Sequence, residues 1–152
     1  MGVAMSTRGH IDDASGEYRI ERTVYLGDDD SSSLIYFVSY FKYMAEGDQD
    51  FFEALGEPVM KHIDTGESCP TVSSNCDFIS PARAGDSVVQ TVRITDPSRT
   101  SFRCEHEFSV DGTTVARGSV VRVWVNLTTM RPEPLPEWVR SAAYRDPTAV
   151  DT

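Results

Sequence analysis

The sequence predicts an α+β domain in which an antiparallel β-sheet packs against one long α-helix. Apolar residues recur at three- and four-residue spacing from Phe37 to Leu55, with Gly56 as a stop signal, and this pattern predicts the helix. Alternating apolar and polar residues between Thr71 and Val125, divided by turn sequences, predict strands. A run of strands after a single helix favours an antiparallel sheet with that helix on one face.

The predicted strands follow one another with short turns between them. They are 17–26 before the helix, and 71–79, 87–95, 102–110 and 113–125 after it. Asp111-Gly112 is a strong hairpin signal between the last two strands. The segment 57–70 has no clear periodicity and is predicted to be an irregular connection, whereas 137–143 is a short amphipathic segment. Gly47 interrupts the helix, and we expect it to permit a close approach between helix and sheet.

The length and composition bound the class of protein. A chain of 152 residues predicts one domain, which we place at 17–145, with a flexible arm at 1–16 and a tail at 146–152. Three cysteines without paired spacing, no signal peptide and no long apolar run predict a cytoplasmic protein without membrane contact. The net charge of −10 argues against nucleic acid as a partner, but leaves room for a small anionic ligand bound by local arginines.

Three consecutive aspartates, Asp28 to Asp30, precede the long helix. One interpretation is a solvated turn whose acids cap the helix and complement its dipole. The other is a reactive carboxylate at the positive end of a buried helix. The run lacks the glycine and distal glutamate spacing of a calcium loop, so no metal site is predicted.

Three stretches in the right order carry a resemblance to a known family. The first runs from Gly27-Asp-Asp-Asp30 through a small turn and an apolar run to Ser39-Tyr40-Phe-Lys-Tyr43; the second is Cys76-Asp-Phe-Ile-Ser-Pro81-Ala-Arg-Ala-Gly85-Asp86; the third is 121–136, a strand followed by a proline-rich tail. Together they resemble the hotdog-fold acyl-CoA thioesterases of the 4-hydroxybenzoyl-CoA thioesterase-like family, over nearly all of the chain after residue 17.

The chain departs from the family pattern at four positions. Ser33 stands where a glycine is usual, Ser39 where Asn is common, Ala45 where an acid is common, and Phe37 where some relatives have His. These departures leave the fold expectation intact and leave the acyl-group preference open.

The resemblance implies a set of site residues. Asp30 would attack the thioester carbonyl or activate the water that does, while the backbone amides of Phe37 and Val38 polarise the carbonyl. The alternative is that these amides are ordinary orphan donors of a helix start. The implied substrate-binding residues are Tyr36, Tyr40, Tyr43, Ser73, Ser74, Asn75 and Arg83. Ordinary strand packing for the small polar residues and solvated charge for Arg83 are the alternatives.

The resemblance also implies partners. The substrate would be an acyl-CoA or acyl-carrier-protein thioester, with no separate cofactor, and the protein would form a homodimer or a homotetramer. One rival is a hydratase or dehydratase, which needs a histidine and a carboxylate facing one substrate, yet His62 and His106 have no suggestive setting and His106 fits sheet packing better. The other rival is a non-catalytic acyl-thioester-binding domain, which the departures at Ser33 and Ala45 encourage.

Overall fold

A computed structural model describes residues 9–149 of the chain. The elements found in that range are β1 (Gly9–Ile11), β2 (Tyr18–Thr23), α1 (Phe37–Ala54), α2 (Val59–Asp64), β3 (Glu67–Ser68), β4 (Thr71–Phe78), β5 (Ser87–Thr95), β6 (Ser101–Val110), β7 (Thr113–Val123), β8 (Val125–Asn126) and α3 (Glu137–Ser141). This confirms the predicted α+β class, and the long helix begins at the predicted residue and ends one residue early.

Six strands form one antiparallel sheet in the order β1-β2-β5-β6-β7-β4. The hairpin between β6 and β7 turns at Asp111 and Gly112, both of which have positive φ, as the Asp-Gly sequence predicts. β3 and β8 pair separately. None of the helices in 9–149 is long and apolar enough to cross a bilayer.

α1 packs across one face of the sheet and buries its aromatic stripe there. Tyr40, Tyr43, Phe51 and Phe52 are each less than 5% exposed. Gly47 sits at the closest approach, since a Cβ atom built on it would lie 2.4 Å from Nε2 of Gln90. The prediction that Gly47 permits close helix-to-sheet contact is therefore confirmed.

A buried polar network joins α1 to the sheet below Gly47. Asp48, which is fully buried, accepts hydrogen bonds from His106 Nε2 at 2.8 Å and from Arg122 Nε at 2.9 Å. Burial opposes ionisation of Asp48, but its partners His106 and Arg122 outweigh that effect and hold its pKa below the ordinary value. The amide of Gln90 lies 3.0 Å from His106 Nδ1 and donates to the Tyr43 carbonyl.

That network also fixes the orientation of the His106 ring. Gln90 Oε1 accepts from Arg22 Nε, so the Gln90 amide nitrogen must face His106 and the Tyr43 carbonyl. His106 Nδ1 faces this amide nitrogen, and His106 Nε2 faces Asp48 at 2.8 Å. His106 is thus a buried packing residue of the sheet.

β4 is an edge strand, and its outer side has no partner among residues 9–149. It pairs with β7 alone, and of its eight residues seven are exposed and Cys76 is half-buried. An exposed edge of this length presents free backbone donors and acceptors to another strand.

Two predictions about irregular segments were wrong. The segment 57–70 contains α2 and β3, because Pro58 initiates a helix of only six residues that ends before Gly66, too short to show helical periodicity. Of the predicted flexible arm 1–16, residues 9–11 form β1 on the edge of β2, and a turn held by Asp12 connects the two strands. Residues 1–8 lie outside the described residues.

Candidate active site

The loop of residues 27–36, here called the acid loop, is fastened to the start of α1 by Asp28. The Asp28 carbonyl accepts hydrogen bonds from the Tyr36 amide at 2.8 Å and from Ser39 Oγ at 2.9 Å. Its carboxylate accepts from the hydroxyl of Tyr43 at 2.9 Å and from the Tyr25 amide at 3.2 Å. The first aspartate of the run is therefore a structural tie.

Asp30 lies at the exposed turn of the same loop. Its Oδ1 accepts hydrogen bonds from the amide and the hydroxyl of Ser32, while Oδ2 accepts none from the described residues. The hydrogen bond from the Ser32 hydroxyl, followed by that from the amide, holds the pKa of Asp30 below its ordinary value of 3.8. The carboxylate is consequently ionised at neutral pH, with one oxygen held and the other free.

The turn after Asp30 has a backbone conformation that favours glycine. Ser33 has a φ of 65°, in the left-handed region, and its amide donates to the Asp30 carbonyl. This conformation explains why a glycine is usual here in the family that the sequence resembles. The serine retains the turn at the cost of some backbone strain.

The start of α1 presents free backbone donors next to the acid loop. The Tyr36 amide is bonded to Asp28, and the Ser39 amide to the Tyr36 carbonyl. The amides of Phe37 and Val38 donate to no residue in the described range, and no side chain caps this end. Two N–H groups at the positive end of an eighteen-residue helix thus remain available to an anionic oxygen.

An apolar groove of about 430 Å³ opens beside the start of α1. Its aromatic wall consists of Phe37, Tyr40 and Phe78, with Phe78 6.2 Å from Phe37 and 5.6 Å from Tyr40 between ring centroids. Phe37 and Phe78 are about half exposed. The groove is lined by Leu34, Ile35, Phe37, Tyr40, Phe78, Ile79, Ser80, Pro81 and Ala82.

The turn 81–86 packs against the acid loop. The Ile35 amide donates to the Ala82 carbonyl at 2.8 Å, and Leu34 forms a β-bridge with Arg83. The Arg83 amide donates to Asp86, and its side chain is exposed. The structure therefore places Arg83 beside the acid loop, although Arg83 and its bridge partner Leu34 are 49 residues apart in the sequence (83 − 34).

Three residues predicted to bind substrate do not face the groove. Ser73 and Asn75 point to the sheet face opposite α1, where Asn75 Oδ1 accepts from Ser119 Oγ, because side chains alternate along a strand. Only Ser74 shares the helix-facing side with Phe78. Tyr43 is buried, and its hydroxyl is occupied by Asp28.

Sequence reasoning missed Phe78, Ile79 and Ser32. The sequence analysis places Phe78 and Ile79 only in a strand. Two large apolar residues at the end of a strand, just before a turn, are nevertheless a signal of an exposed apolar patch. Ser32 follows Asp30 by two residues, which is the spacing of a side chain that bonds a local amide. Both signals involve residues close together in the chain, so the sequence alone contains them.

The histidine–carboxylate pairs of the described residues lie away from the groove. The His106–Asp48 pair has fully buried side chains. His62 is on α2, where its ring stacks on Trp138 and its Nε2 lies 2.9 Å from Glu57 Oε2. Within 9–149 no group of three or more His, Cys, Asp or Glu residues is arranged to hold a metal ion.

Comparison with known proteins gives a consistent result. The family model described as the thioesterase-like superfamily matches residues 24–143. A 1,4-dihydroxy-2-naphthoyl-CoA hydrolase of Synechocystis is 28% identical over 80% of this chain and 91% of its own length. The crystal structure of a 1,4-dihydroxy-2-naphthoyl-CoA thioesterase from Synechocystis superimposes with a TM-score of 0.78 at 27% identity, covering 83% of this chain and 94% of that one. A gentisyl-coenzyme A thioesterase structure gives 0.74 at 31% identity, covering 82% and 98%.

Proposed function

Since the chain belongs to the thioesterase-like superfamily, we propose that it hydrolyses an aromatic acyl-CoA thioester, with Asp30 as the catalytic carboxylate. One observation carries this proposal: an ionised carboxylate with a free oxygen and two unpaired helix amides lie at the two ends of one short loop, beside an aromatic groove. Two similar proteins named for aryl-CoA thioesters, the 1,4-dihydroxy-2-naphthoyl-CoA hydrolase and the gentisyl-CoA thioesterase, support the same substrate class.

The chemistry needs a nucleophile and a place for negative charge. Asp30 either attacks the thioester carbon, forming an anhydride that water then cleaves, or removes a proton from the attacking water. In both routes the carbonyl oxygen becomes an oxyanion, and the amides of Phe37 and Val38 stabilise it. Collapse of the oxyanion breaks the C–S bond and expels CoA as its thiolate, which takes up a proton. The acyl group becomes the free acid directly in the general-base route, and after water cleaves the anhydride in the nucleophilic route.

The groove favours an aromatic acyl group. Phe37, Tyr40 and Phe78 line it as neighbouring rings in T-shaped and tilted contact, and a planar acyl ring can add to such an aromatic cluster. Tyr40 stays uncharged because burial raises its pKa to about 12. Arg83, whose side chain is exposed beside the acid loop, is the residue we assign to the CoA phosphates.

We further propose that the protein is a homodimer whose two β4 strands pair into one continuous sheet. The free edge of β4 supplies the backbone groups for this pairing, and Phe78 at its end places the groove next to the joint. Pairing of dimers into a tetramer is compatible with the same arrangement. A carrier-protein thioester would present the same phosphopantetheine arm as CoA.

The rival hydratase reaction lacks a suitable pair of groups. It needs a histidine and a carboxylate facing one substrate, but the Asp48 and His106 side chains are fully buried, and both His106 nitrogens are engaged by Asp48 and Gln90. His62 stacks on Trp138 and makes an edge-to-face contact with Trp124, away from the acid loop. This placement favours hydrolysis over hydration.

The decisive experiment compares Asp30→Asn with Asp29→Asn. Free-thiol release is followed on a panel of benzoyl-CoA, gentisyl-CoA, 1,4-dihydroxy-2-naphthoyl-CoA, acetyl-CoA and a benzoyl-carrier-protein, with hydration of an enoyl-CoA measured in parallel. Asp30→Asn keeps size and hydrogen-bond acceptor but removes the charge, and we expect turnover to fall at least about 10²-fold. Asp29→Asn, whose side chain bonds only the Gly27 amide, is the matched control.

Three outcomes would contradict the proposal. Parent-level turnover by Asp30→Asn would leave that residue as a loop-forming group. Tight binding of every thioester without thiol release would favour the accessory binding domain. Loss of the enoyl absorbance without thiol release would favour the hydratase.

A further inference from the structure

Asp28 holds the acid loop to α1 at two levels. Its carbonyl receives the Tyr36 amide and Ser39 Oγ at the helix start, and its carboxylate receives the Tyr43 hydroxyl two turns along the helix. The Asp28 amide also donates to the Tyr25 carbonyl at 3.0 Å. Asp30, two residues later, has no such anchor among the described residues, because the hydrogen bonds of its side chain run to Ser32 and stay within the loop.

Tyr43 is itself held rigidly by the sheet. Its side chain is buried, and the Arg22 guanidinium lies 4.6 Å from the centre of its ring. Arg22 is fixed in turn by its Nε bond to Gln90, which also bonds the Tyr43 carbonyl. Burial, reinforced by the hydrogen bond to Asp28, raises the pKa of Tyr43, so its hydroxyl remains a donor.

We propose that Asp28 and Tyr43 form a positioning pair for the reaction. Tyr43 is fixed by its packing on the sheet, and its bond to Asp28 restrains the acid loop against α1. The loop in turn keeps the Asp30 carboxylate at a constant distance and orientation from the amides of Phe37 and Val38. Catalytic groups must be held within about 0.5 Å of the productive geometry, and a displacement of 1 Å costs up to about 10²-fold in rate. This inference rests on the proposed role of Asp30.

The test is kinetic and uses the full-length protein with the best aroyl-CoA of the panel. Tyr43→Phe removes only the hydroxyl and keeps the ring under Arg22. We expect kcat to fall about 10- to 100-fold with KM within about twofold, since alignment for the reaction is lost while binding is kept. Tyr144→Phe, which likewise removes a hydroxyl from a ring that lies under an arginine, Arg93, is the matched control and should keep the parent kcat.

Two further variants separate positioning from general damage. Asp28→Asn retains an oxygen that accepts from Tyr43 and should keep most of the activity. Asp28→Ala, which also loses the bond from the Tyr25 amide, should lose at least as much kcat as Tyr43→Phe. In the double variant Asp28→Ala/Tyr43→Phe the losses should not multiply, because Asp28→Ala already removes the bond from the Tyr43 hydroxyl. If Tyr43→Phe does not fold, the contrast between Asn and Ala at Asp28 decides the question.

The inference and the proposed function fail in different ways. Parent kcat in Tyr43→Phe, equal kcat in Asp28→Asn and Asp28→Ala, or fully multiplicative losses would each overturn the positioning role. These results would leave the proposed function standing if Asp30→Asn is inactive. Activity in Asp30→Asn would overturn the proposed function itself.

Discussion

Substituting Gly47 tests the closest contact between α1 and the sheet. A Cβ atom at this position would lie 2.4 Å from Gln90 Nε2, 3.1 Å from Gln90 Cδ and 3.4 Å from His106 Cε1. Gly47→Ala therefore forces the Gln90 amide out of its site. That amide bonds the Tyr43 carbonyl and His106 and, through its oxygen, Arg22.

The magnitude follows from three terms. Overpacking costs about 1–3 kcal/mol, and each hydrogen bond lost by Gln90 costs about 1 kcal/mol. Removing a glycine from the middle of a helix returns about 1 kcal/mol. If two bonds are lost, we expect Gly47→Ala to lower the free energy of unfolding by about 2–4 kcal/mol. Urea unfolding at constant protein concentration measures this change.

Truncating the group that blocks the space supplies the control. In a Gln90→Ala background the clash with Gln90 is absent, so Gly47→Ala should become neutral or stabilise the protein by up to about 1 kcal/mol through helix propensity. The sign of the Gly47→Ala effect therefore differs between the two backgrounds. Equal destabilisation in both would refute the assignment of Gln90 as the contact that requires glycine.

Three further predictions concern the acid loop and the assembly. Ser32→Ala removes the hydroxyl whose hydrogen bond is the largest cause of the lowered Asp30 pKa, so this pKa rises. The loss of kcat/KM on acidification should then begin at a higher pH, and an unchanged pH profile would contradict Asp30 as the catalytic carboxylate. Ser33→Gly should change kcat by no more than about threefold, or about 0.7 kcal/mol, because Ser33 already has the glycine-like φ; a large activation would indicate that the serine inactivates the enzyme. Light scattering at micromolar concentration should give at least twice 16.9 kDa, and a stable, active monomer would refute the shared sheet.

Local patterns in the sequence were enough for most elements. The spacing of Phe37 to Leu55 predicted α1 to within one residue, and alternation predicted β5 over its observed bounds. The Asp-Gly hairpin also appeared as predicted. The short elements β1 and α2 were not predicted. With three and six residues they contain too few repeats of the strand or helix period for a pattern to be recognised.

Alternation also held information about the site that the prediction did not use. The resemblance implies substrate binding for Ser73, Ser74 and Asn75 together, yet consecutive strand residues point to opposite faces. The two-residue alternation of a strand therefore already predicts that Ser74 points to the face opposite to that of Ser73 and Asn75. Knowing which of the two faces meets α1 required the paired register of β4 and β7.

The sequence by itself determined the backbone conformation of each long segment and the identity of the acid loop, because both depend on residues close together in the chain. Only the tertiary structure decided that Asp28, rather than Asp30, is tied to Tyr43, and that Asp48 meets His106 and Arg122. Such contacts depend on how the helix and the sheet pack, and no local period encodes them. The free edge of β4 likewise follows from its pairing with β7, a strand about 45 residues further along the chain.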